Sequence, residues 1–181
     1  MQTATTSLPG LVIMVPEVYE DDRGFVYESF SQRAFEAATG ERRRWLQDNH
    51  TFSRRGVLRG LHYLLDIPQG KIIRCVSGSV FDVAVDIRRS SPTFGEWVGV
   101  ELSEENRRML WVPEGFAHGF LVTGDSAEVV YKMTEHFEQA ADRAIRWDDP
   151  DLAITWPIDE PPILSAKDAA APLLADAQIY D

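Results

Sequence analysis

An all-β fold, with a jelly roll as the leading architecture, is predicted from two observations in the sequence. The segment Val80–Arg88 alternates apolar and polar residues with a period of two, which is the pattern of a strand with one buried face. Short apolar segments follow one another along the chain, with 12 glycines and 10 prolines scattered between them as turn residues. No repeat, low-complexity tract or polar linker divides the 181 residues, so we expect a single domain.

The strands are predicted in chain order from the same alternation. Lys71–Val76 and Val80–Ile87 are expected to form a hairpin, because Ser77–Ser79 between them has the composition of a turn. Trp97–Leu102 also places alternate apolar residues on one face. The later strands are expected at Met109–Val112, Gly119–Val122 and Glu128–Met133, with turns at Pro113–Gly115 and Thr123–Asp125.

Helices are expected to be short and peripheral. One is predicted over Ser31–Thr39 with Gly40 as its C-cap, and another turn or two between Ser165 and Leu174. The single domain spans residues 1–181. Within it, residues 1–10 are expected to form an N-terminal arm, and residues 156–181 a C-terminal segment packing on the barrel.

Composition excludes several classes of function. The formal net charge of −11 argues against a nucleic-acid or anionic-membrane binder, although a small basic pocket remains compatible with it. The single cysteine, Cys75, excludes a disulfide framework and a multi-cysteine zinc site. No run of 18 apolar residues and no signal-peptide pattern occurs, so we expect a cytoplasmic protein.

Four titratable side chains are the first candidates for chemistry. His62 lies near Arg59 and upstream of Lys71, which could be an edge charge or a cation that stabilises an oxyanion. Tyr131 could be a core residue or a proton donor, and Asp168 a helix cap or the carboxylate that orients a histidine.

A further histidine raises the question of a metal. His118 has the spacing Pro113-x-Gly115-x-x-His118, which is that of the second metal-binding motif of cupin barrels. The first cupin motif needs a second histidine two residues after His62, and Leu64 stands there. We therefore expect no metal.

Six motifs occur in the order in which a known family has them. They are RGLHY at Arg59–Tyr63, QGK at Gln69–Lys71, FDVAVDIR at Phe81–Arg88, SPTFG at Ser91–Gly95, PEGFAHGF at Pro113–Phe120 and LSAKDAAAPLL at Leu164–Leu174. Together they closely resemble the dTDP-4-dehydrorhamnose 3,5-epimerase family, from about Leu11 to Leu174. Each motif alone is modest, and the ordered set is specific.

The resemblance implies a cupin-type jelly roll that works as a homodimer without a metal or cofactor. It also implies a substrate, a dTDP-4-keto-6-deoxyhexose, whose protons next to the C4 ketone are removed and returned on the opposite face at C5 and usually C3. Such a step supplies the precursor of L-rhamnose or a related sugar. The resemblance further implies a role for each of four residues: His62 is the base, Asp168 is its partner, Lys71 is the cation at the C4 oxygen and Tyr131 is the proton donor.

The resemblance also implies a set of substrate-binding residues. They are Arg23, Glu28, Gln47, Asn49, Arg59, His118, Phe137, Asp142 and Lys167. The cations among them, together with Lys71, are expected to gather around one cavity, where a diphosphate would bind. In a regular strand Arg59 and His62 would face opposite sides, and a bulge at Gly60 or the reach of the long Arg59 side chain could resolve this.

The sequence departs from the family pattern around the loop that follows His62. Leu64 replaces a usual glutamine, and the loop Leu64–Pro68 is about one residue short. Phe137 replaces a tyrosine that stacks on thymine, and Asp142 replaces a glutamate. A double 3,5-epimerase is the leading interpretation; the alternatives are an epimerase acting at C3 or C5 only and a non-catalytic nucleotide-sugar-binding cupin.

Overall fold

A computed structural model describes residues 1–181 and shows a mostly β protein. The strands are β1 Gln2–Thr5, β2 Val12–Val15, β3 Val18–Asp21, β4 Gly24–Tyr27, β5 Gln47–Arg54, β6 Leu58–Leu64, β7 Lys71–Asp86, β8 Trp97–Ser103, β9 Met109–Val112, β10 Phe116–Met133 and β11 Asp142–Ala144. The helices are α1 Gln32–Thr39 and α2 Ala166–Ala169, followed by a 3-10 turn at Leu174–Asp176. The longer of the two helices, α1, has 8 residues, and neither helix is a candidate membrane span.

Two long antiparallel strands, β7 and β10, join the two halves of a jelly roll. The first half of β7 and the second half of β10 lie in one sheet with β1, β2, β9 and β5. Their other halves lie in a second sheet with β8, β6 and β11; because β7 and β10 run through both sheets, all nine strands are hydrogen-bonded continuously, and β3 and β4 form a separate hairpin. Buried side chains from both halves form one core of 15 residues. The predicted jelly roll is therefore confirmed.

Two predicted turns are wrong, because β7 and β10 run without interruption. The predicted hairpin around Ser77–Ser79 and the predicted turn at Thr123–Asp125 lie opposite each other in these strands, where the pairing register shifts between Val122 and Ala127. Gly78 has φ +73°, and a Cβ there would lie 1.9 Å from the Ser126 carbonyl oxygen. The turn residues thus form a bulge that bends both strands without reversing the chain.

The strand Val80–Arg88 also differs from its predicted environment, because both of its faces are buried. Val80 and Ala84 lie in the core between the sheets, whereas Val83 and Val85 lie in a second apolar cluster. That second cluster includes side chains from Ile145 to Tyr180, which cover the outer face of the sheet. Asp82 and Asp86 alternate with the residues of that second cluster, on the face of Val80 and Ala84, and they are buried although their alternation predicted a solvent-facing side.

The helix predicted before Gly40 is confirmed. Ser31 caps α1 by accepting a hydrogen bond from the Ala34 backbone N–H, and Gly40 ends it with φ +74°. The helix buries Phe35 against Trp111 of β9, with ring centroids 4.9 Å apart.

A bulge in β6 sets the direction of the site residues. His62 lies opposite His118 of β10, whereas Arg59 lies opposite Phe120, so three steps along β6 match two along β10. The predicted bulge at Gly60 is confirmed, and it puts Arg59 and His62 on the same face. Gly60 has φ +125°, and a Cβ there would lie 2.5 Å from the Gly119 Cα, so the two backbones meet where a side chain would not fit.

Candidate active site

A cavity of about 220 Å³ opens where the sheets meet α2 and the loop after β10. Five strands, β5, β6, β7, β10 and β11, contribute residues to its lining. The lining residues are Asn49, His62, Tyr63, Leu64, Gln69, Lys71, Tyr131, Met133, Phe137, Asp142 and Lys167. All four proposed catalytic residues are at this site, because Asp168 is hydrogen-bonded to His62 from behind it.

His62 and Asp168 form a hydrogen-bonded pair across 106 residues of sequence, with His62 Nε2 2.5 Å from Asp168 Oδ1. Asp168 is buried in the short helix α2, and its backbone N–H donates to the Oγ of the N-cap Ser165. Burial raises the pKa of Asp168, but hydrogen bonds from His62 and Ser165 outweigh it and hold the pKa below its usual range. An ionised carboxylate therefore fixes one imidazole nitrogen and leaves the other free.

Lys71 lies at the start of β7, opposite Met133 of β10. Burial lowers the pKa of its ammonium from 10.5 to about 8, although the charges of Asp142 and Asp82 act in the opposite direction. Lys167 also lowers this pKa, and it forms an ion pair with Asp142. The ammonium of Lys71 is thus a weakly solvated cation on the wall of the cavity.

Tyr131 faces the same cavity from β10, and its cross-strand neighbour on β5 is Asn49. Gln47 donates from its amide nitrogen to Asn49 Oδ1 at 2.9 Å, and its oxygen accepts from the Phe137 backbone N–H at 2.8 Å. This chain of hydrogen bonds holds the partly exposed ring of Phe137 at the mouth of the cavity.

His118 is not among the residues that line the cavity, and it has a buried carboxylate partner, Asp82, which was not predicted from the sequence. His118 Nε2 lies 2.9 Å and 3.0 Å from the two oxygens of Asp82, and both side chains are buried. Burial raises the pKa of Asp82, whereas His118 and Lys71 lower it. The feature of the sequence that could have pointed to Asp82 is the pair of aspartates, Asp82 and Asp86, in the strand with the most regular alternation.

Gln69 was also missed, although it stands in the QGK motif. It is buried, lines the cavity, and donates from its amide nitrogen to the Glu135 carbonyl at 2.7 Å. It therefore ties the loop before Lys71 to the segment after β10. The side chains form no group of three or more His, Cys, Asp or Glu that could hold a metal ion.

The expected cations do not all gather in one chain's cavity. Lys71 and Lys167 line it, whereas Arg59 donates from Nε to Ser53 Oγ at 3.0 Å outside the lining. Arg23 lies in the β3–β4 hairpin, paired with Asp21, and the exposed Glu28 follows the same hairpin. Within one chain these two residues lie apart from the cavity.

Proton transfer to and from carbon is the chemistry that a histidine base, an ammonium and a phenol around one cavity suit. Fold and site together define an isomerase of the cupin type. The chain belongs to the dTDP-4-dehydrorhamnose 3,5-epimerase family, whose model matches residues 5–176. The resemblance of its motifs to that family is therefore confirmed.

Individual relatives cover nearly the whole chain. A dTDP-4-dehydrorhamnose 3,5-epimerase of Shigella flexneri is 52% identical over 181 residues, covering 99% of each chain. The crystal structure of a 3,5-epimerase from Legionella pneumophila in complex with dTDP-4-keto-L-rhamnose matches with a TM-score of 0.95 and 49% identity, covering 97% of this chain and 93% of that one. A 3'-monoepimerase from Streptomyces bikiniensis in complex with dTDP-quinovose matches with a TM-score of 0.89 and 38% identity, covering 94% and 86%.

Proposed function

We propose that this protein epimerises a dTDP-4-keto-6-deoxyhexose at C3 and C5, as a dTDP-4-dehydrorhamnose 3,5-epimerase. The observation that carries the proposal is the His62–Asp168 pair, which lies at one cavity with Lys71 and Tyr131. Relatives of about 50% identity over the whole chain support the same reaction.

His62 removes the proton next to the ketone. Its Nε2–H donates to the Asp168 carboxylate, so the other ring nitrogen carries the lone pair that accepts the proton. Asp168 then stabilises the imidazolium that forms. Because the side chain of Asp168 is only 3% exposed, little water competes for this interaction.

Lys71 stabilises the enolate oxygen that develops at C4. An ammonium held in a poorly solvated place interacts more strongly with a developing oxyanion than one in water does. Tyr131 returns a proton to the opposite face of the ring, which inverts the carbon. Abstraction and return by different groups on opposite faces is what distinguishes epimerisation from simple exchange.

The nucleotide binds toward Gln47, Asn49 and Phe137. The Phe137 ring stacks on thymine, for which only the face of the ring is needed. Lys167, Arg59 and His118 contribute donors for the diphosphate and sugar. Asp142 orients Lys167 through their ion pair.

Arg23 and Glu28 complete the site from a second copy of the chain. The β3–β4 hairpin that carries them exposes Tyr19, Phe25 and Val26, which are 61%, 58% and 67% exposed. Apolar side chains exposed together on a hairpin are suited to burial against a partner. A homodimer in which each hairpin reaches the other copy's cavity accounts for both the exposed surface and the family positions of these residues.

Complementation tests this arrangement. Arg23→Ala and His62→Ala are each expected to be poorly active alone, and a mixed dimer is expected to regain activity at one site if Arg23 acts across the interface. No recovery in a dimer whose mixing is demonstrated by mass would contradict the arrangement.

Incubation with dTDP-4-keto-6-deoxyglucose in D₂O, followed by NMR, tests the reaction itself. Deuterium at both C3 and C5 is expected. Deuterium at C3 alone would favour the second candidate, a single-position epimerase, for which the 38% identical 3'-monoepimerase is the supporting observation. Binding without exchange at either carbon would make the protein a nucleotide-sugar binder and would end the epimerase proposal.

A further inference from the structure

The segment Ala177–Tyr180 is hydrogen-bonded to the strand that carries His62. The Tyr180 hydroxyl donates to the Leu64 carbonyl, and the Tyr63 hydroxyl donates to the Gln178 carbonyl at 2.5 Å. The rings of Tyr63 and Tyr180 also contact each other, with centroids 5.9 Å apart. Each side thus supplies one tyrosine hydroxyl that donates to a backbone carbonyl of the other side.

The same segment contacts two further parts of the structure. Arg143 of β11 donates from Nε to the Gln178 side-chain oxygen at 2.9 Å. The Arg89 backbone N–H donates to the Tyr180 carbonyl at 3.0 Å, which anchors the segment beyond the end of β7. The backbone of Tyr180 is therefore hydrogen-bonded to Arg89, beyond the end of β7, and its side chain is hydrogen-bonded to Leu64, at the end of β6.

The strand ends that this segment contacts, in β6 and β11, form part of the wall of the cavity. Tyr63 and Leu64 line it and directly follow His62, and Asp142, which pairs with Lys167, precedes Arg143. After Leu64 the chain passes through the exposed residues Asp66–Pro68 to Gln69 and Lys71. The Leu64 carbonyl is thus the last point of β6 before the loop that connects the base to the ammonium.

We propose that Tyr180 is a positioning residue, whose bond to Leu64 fixes the end of β6 and so the placement of His62 relative to Lys71. The inference rests on the proposed function, because it concerns how one base serves two carbons. C3 and C5 lie on opposite sides of the C4 ketone, so a small displacement of the base improves its approach to one and worsens its approach to the other. Misplacement by about 1 Å can cost on the order of 10²-fold in rate.

Tyr180→Phe is the test, because it removes one hydroxyl and keeps the ring. We expect turnover to fall about 5- to 20-fold, as for a partial misplacement. We also expect the ratio of initial deuterium exchange at C3 to that at C5 to change at least threefold, with the melting temperature lowered by a few degrees. Gln178→Ala, which frees Arg143, is expected to shift the ratio in the same direction by less.

Trp156→Phe is the matched control. Trp156 packs in the same apolar cluster, with its ring edge-on to Phe81 of β7, and donates from Nε1 to the Trp147 carbonyl at 2.9 Å; it has no hydrogen bond to β6 through its side chain and does not line the cavity. It is expected to lower the melting temperature and leave the exchange ratio unchanged. The same ratio in wild type and in folded Tyr180→Phe would overturn the inference, whereas no exchange in wild type would instead overturn the proposed function.

Discussion

His62 and His118 lie directly opposite each other on β6 and β10, and the Nε2 atom of each is hydrogen-bonded to an aspartate. The two imidazoles differ in access to the cavity, because the side chain of His62 is 31% exposed and that of His118 is 8% exposed. Their carboxylates also come from different places, Asp168 from α2 and Asp82 from β7. The accessible pair is suited to exchanging protons with a substrate, and the enclosed pair to holding a donor in place.

Replacement of the base should abolish isotope exchange. We expect His62→Ala to reduce turnover by at least 10²-fold and to remove deuterium incorporation at both carbons, because His62 is the proposed acceptor of the proton. His50→Ala is the control, since His50 Nε2 is also paired with a carboxylate, Glu128 at 2.8 Å, on an exposed part of β5. Wild-type turnover in a folded His62→Ala protein would refute the assignment of the base.

Replacement of the donor should separate exchange from inversion. In Tyr131→Phe the base still removes a proton and returns deuterium to the same face, so the substrate exchanges without changing configuration. We expect epimerised product to form at least 10²-fold more slowly than in wild type, with exchange reduced by less. NMR of substrate and product in D₂O measures both rates, and an equal loss of both would argue against separate groups on the two faces.

The charge of Lys71 should set the alkaline limit of activity. Its pKa is lowered to about 8, chiefly by burial, so the ammonium is lost as pH rises through that value and kcat/KM should fall. Asp142 and Asp82 raise this pKa and Lys167 lowers it. Asp142→Asn should therefore move the alkaline limb to lower pH.

Lys71→Arg is the matched variant for this effect, because a guanidinium stays charged across the range. It should retain part of the activity and lose the limb near pH 8. Lys71→Met should cost roughly 10²–10³-fold, as does removal of an oxyanion donor. An unchanged alkaline limb in Lys71→Arg would show that another group titrates there.

Asp86 should stabilise the fold at neutral pH and cease to do so in acid. This buried carboxylate accepts hydrogen bonds from Arg88, Ser91 and Thr93. Burial raises its pKa, but these bonds outweigh that effect and lower the pKa to about 2. Because the pKa is below its unfolded value of about 3.9, the stabilisation is present above that pH and is lost as pH falls through about 2.

Asp86→Asn is accordingly expected to lower the free energy of unfolding at pH 7 by about 3 kcal/mol. Urea denaturation at several pH values measures this, and the difference from wild type should shrink below about pH 4. Asp148→Asn is the control, since its ion pair with Arg146 is exposed and should contribute less than about 1 kcal/mol. A constant difference at all pH values would contradict the role assigned to the charge.

Features that depend on neighbouring residues could be predicted from the sequence. The helix predicted over Ser31–Thr39, its end at Gly40 and the strand Met109–Val112 all follow from local preferences, and the structure has them within one residue of where they were expected. His62, Lys71 and Asp168 stand in the ordered motifs of a family, and the role proposed for Tyr131 also came from that resemblance rather than from local pattern. From residue spacing alone, Tyr131 and Asp168 could each have had either a structural or a chemical role.

Features that depend on pairing partners were predicted wrongly or missed. Ser77–Ser79 has the composition of a turn, but its position opposite the irregular part of β10 makes it a bulge in a continuous strand. Asp82 has a polar position in an alternating strand, but it lies on the face of Val80 and Ala84, which points into the central core, and there it meets His118. Side chains from Ile145 to Tyr180 cover the opposite face of the strand. Neither partner is near in sequence.

Local sequence by itself therefore determined the all-β class, the short helices and, through its motifs, the residue types of the site. Only the tertiary structure decided which of those residues meet. His62 and Asp168 are separated by 106 residues, and the Gly60 bulge that aims His62 exists because Gly60 packs against the Gly119 backbone. Backbone preferences act over a few residues, whereas a hydrogen bond forms only between groups that the fold brings within about 3 Å.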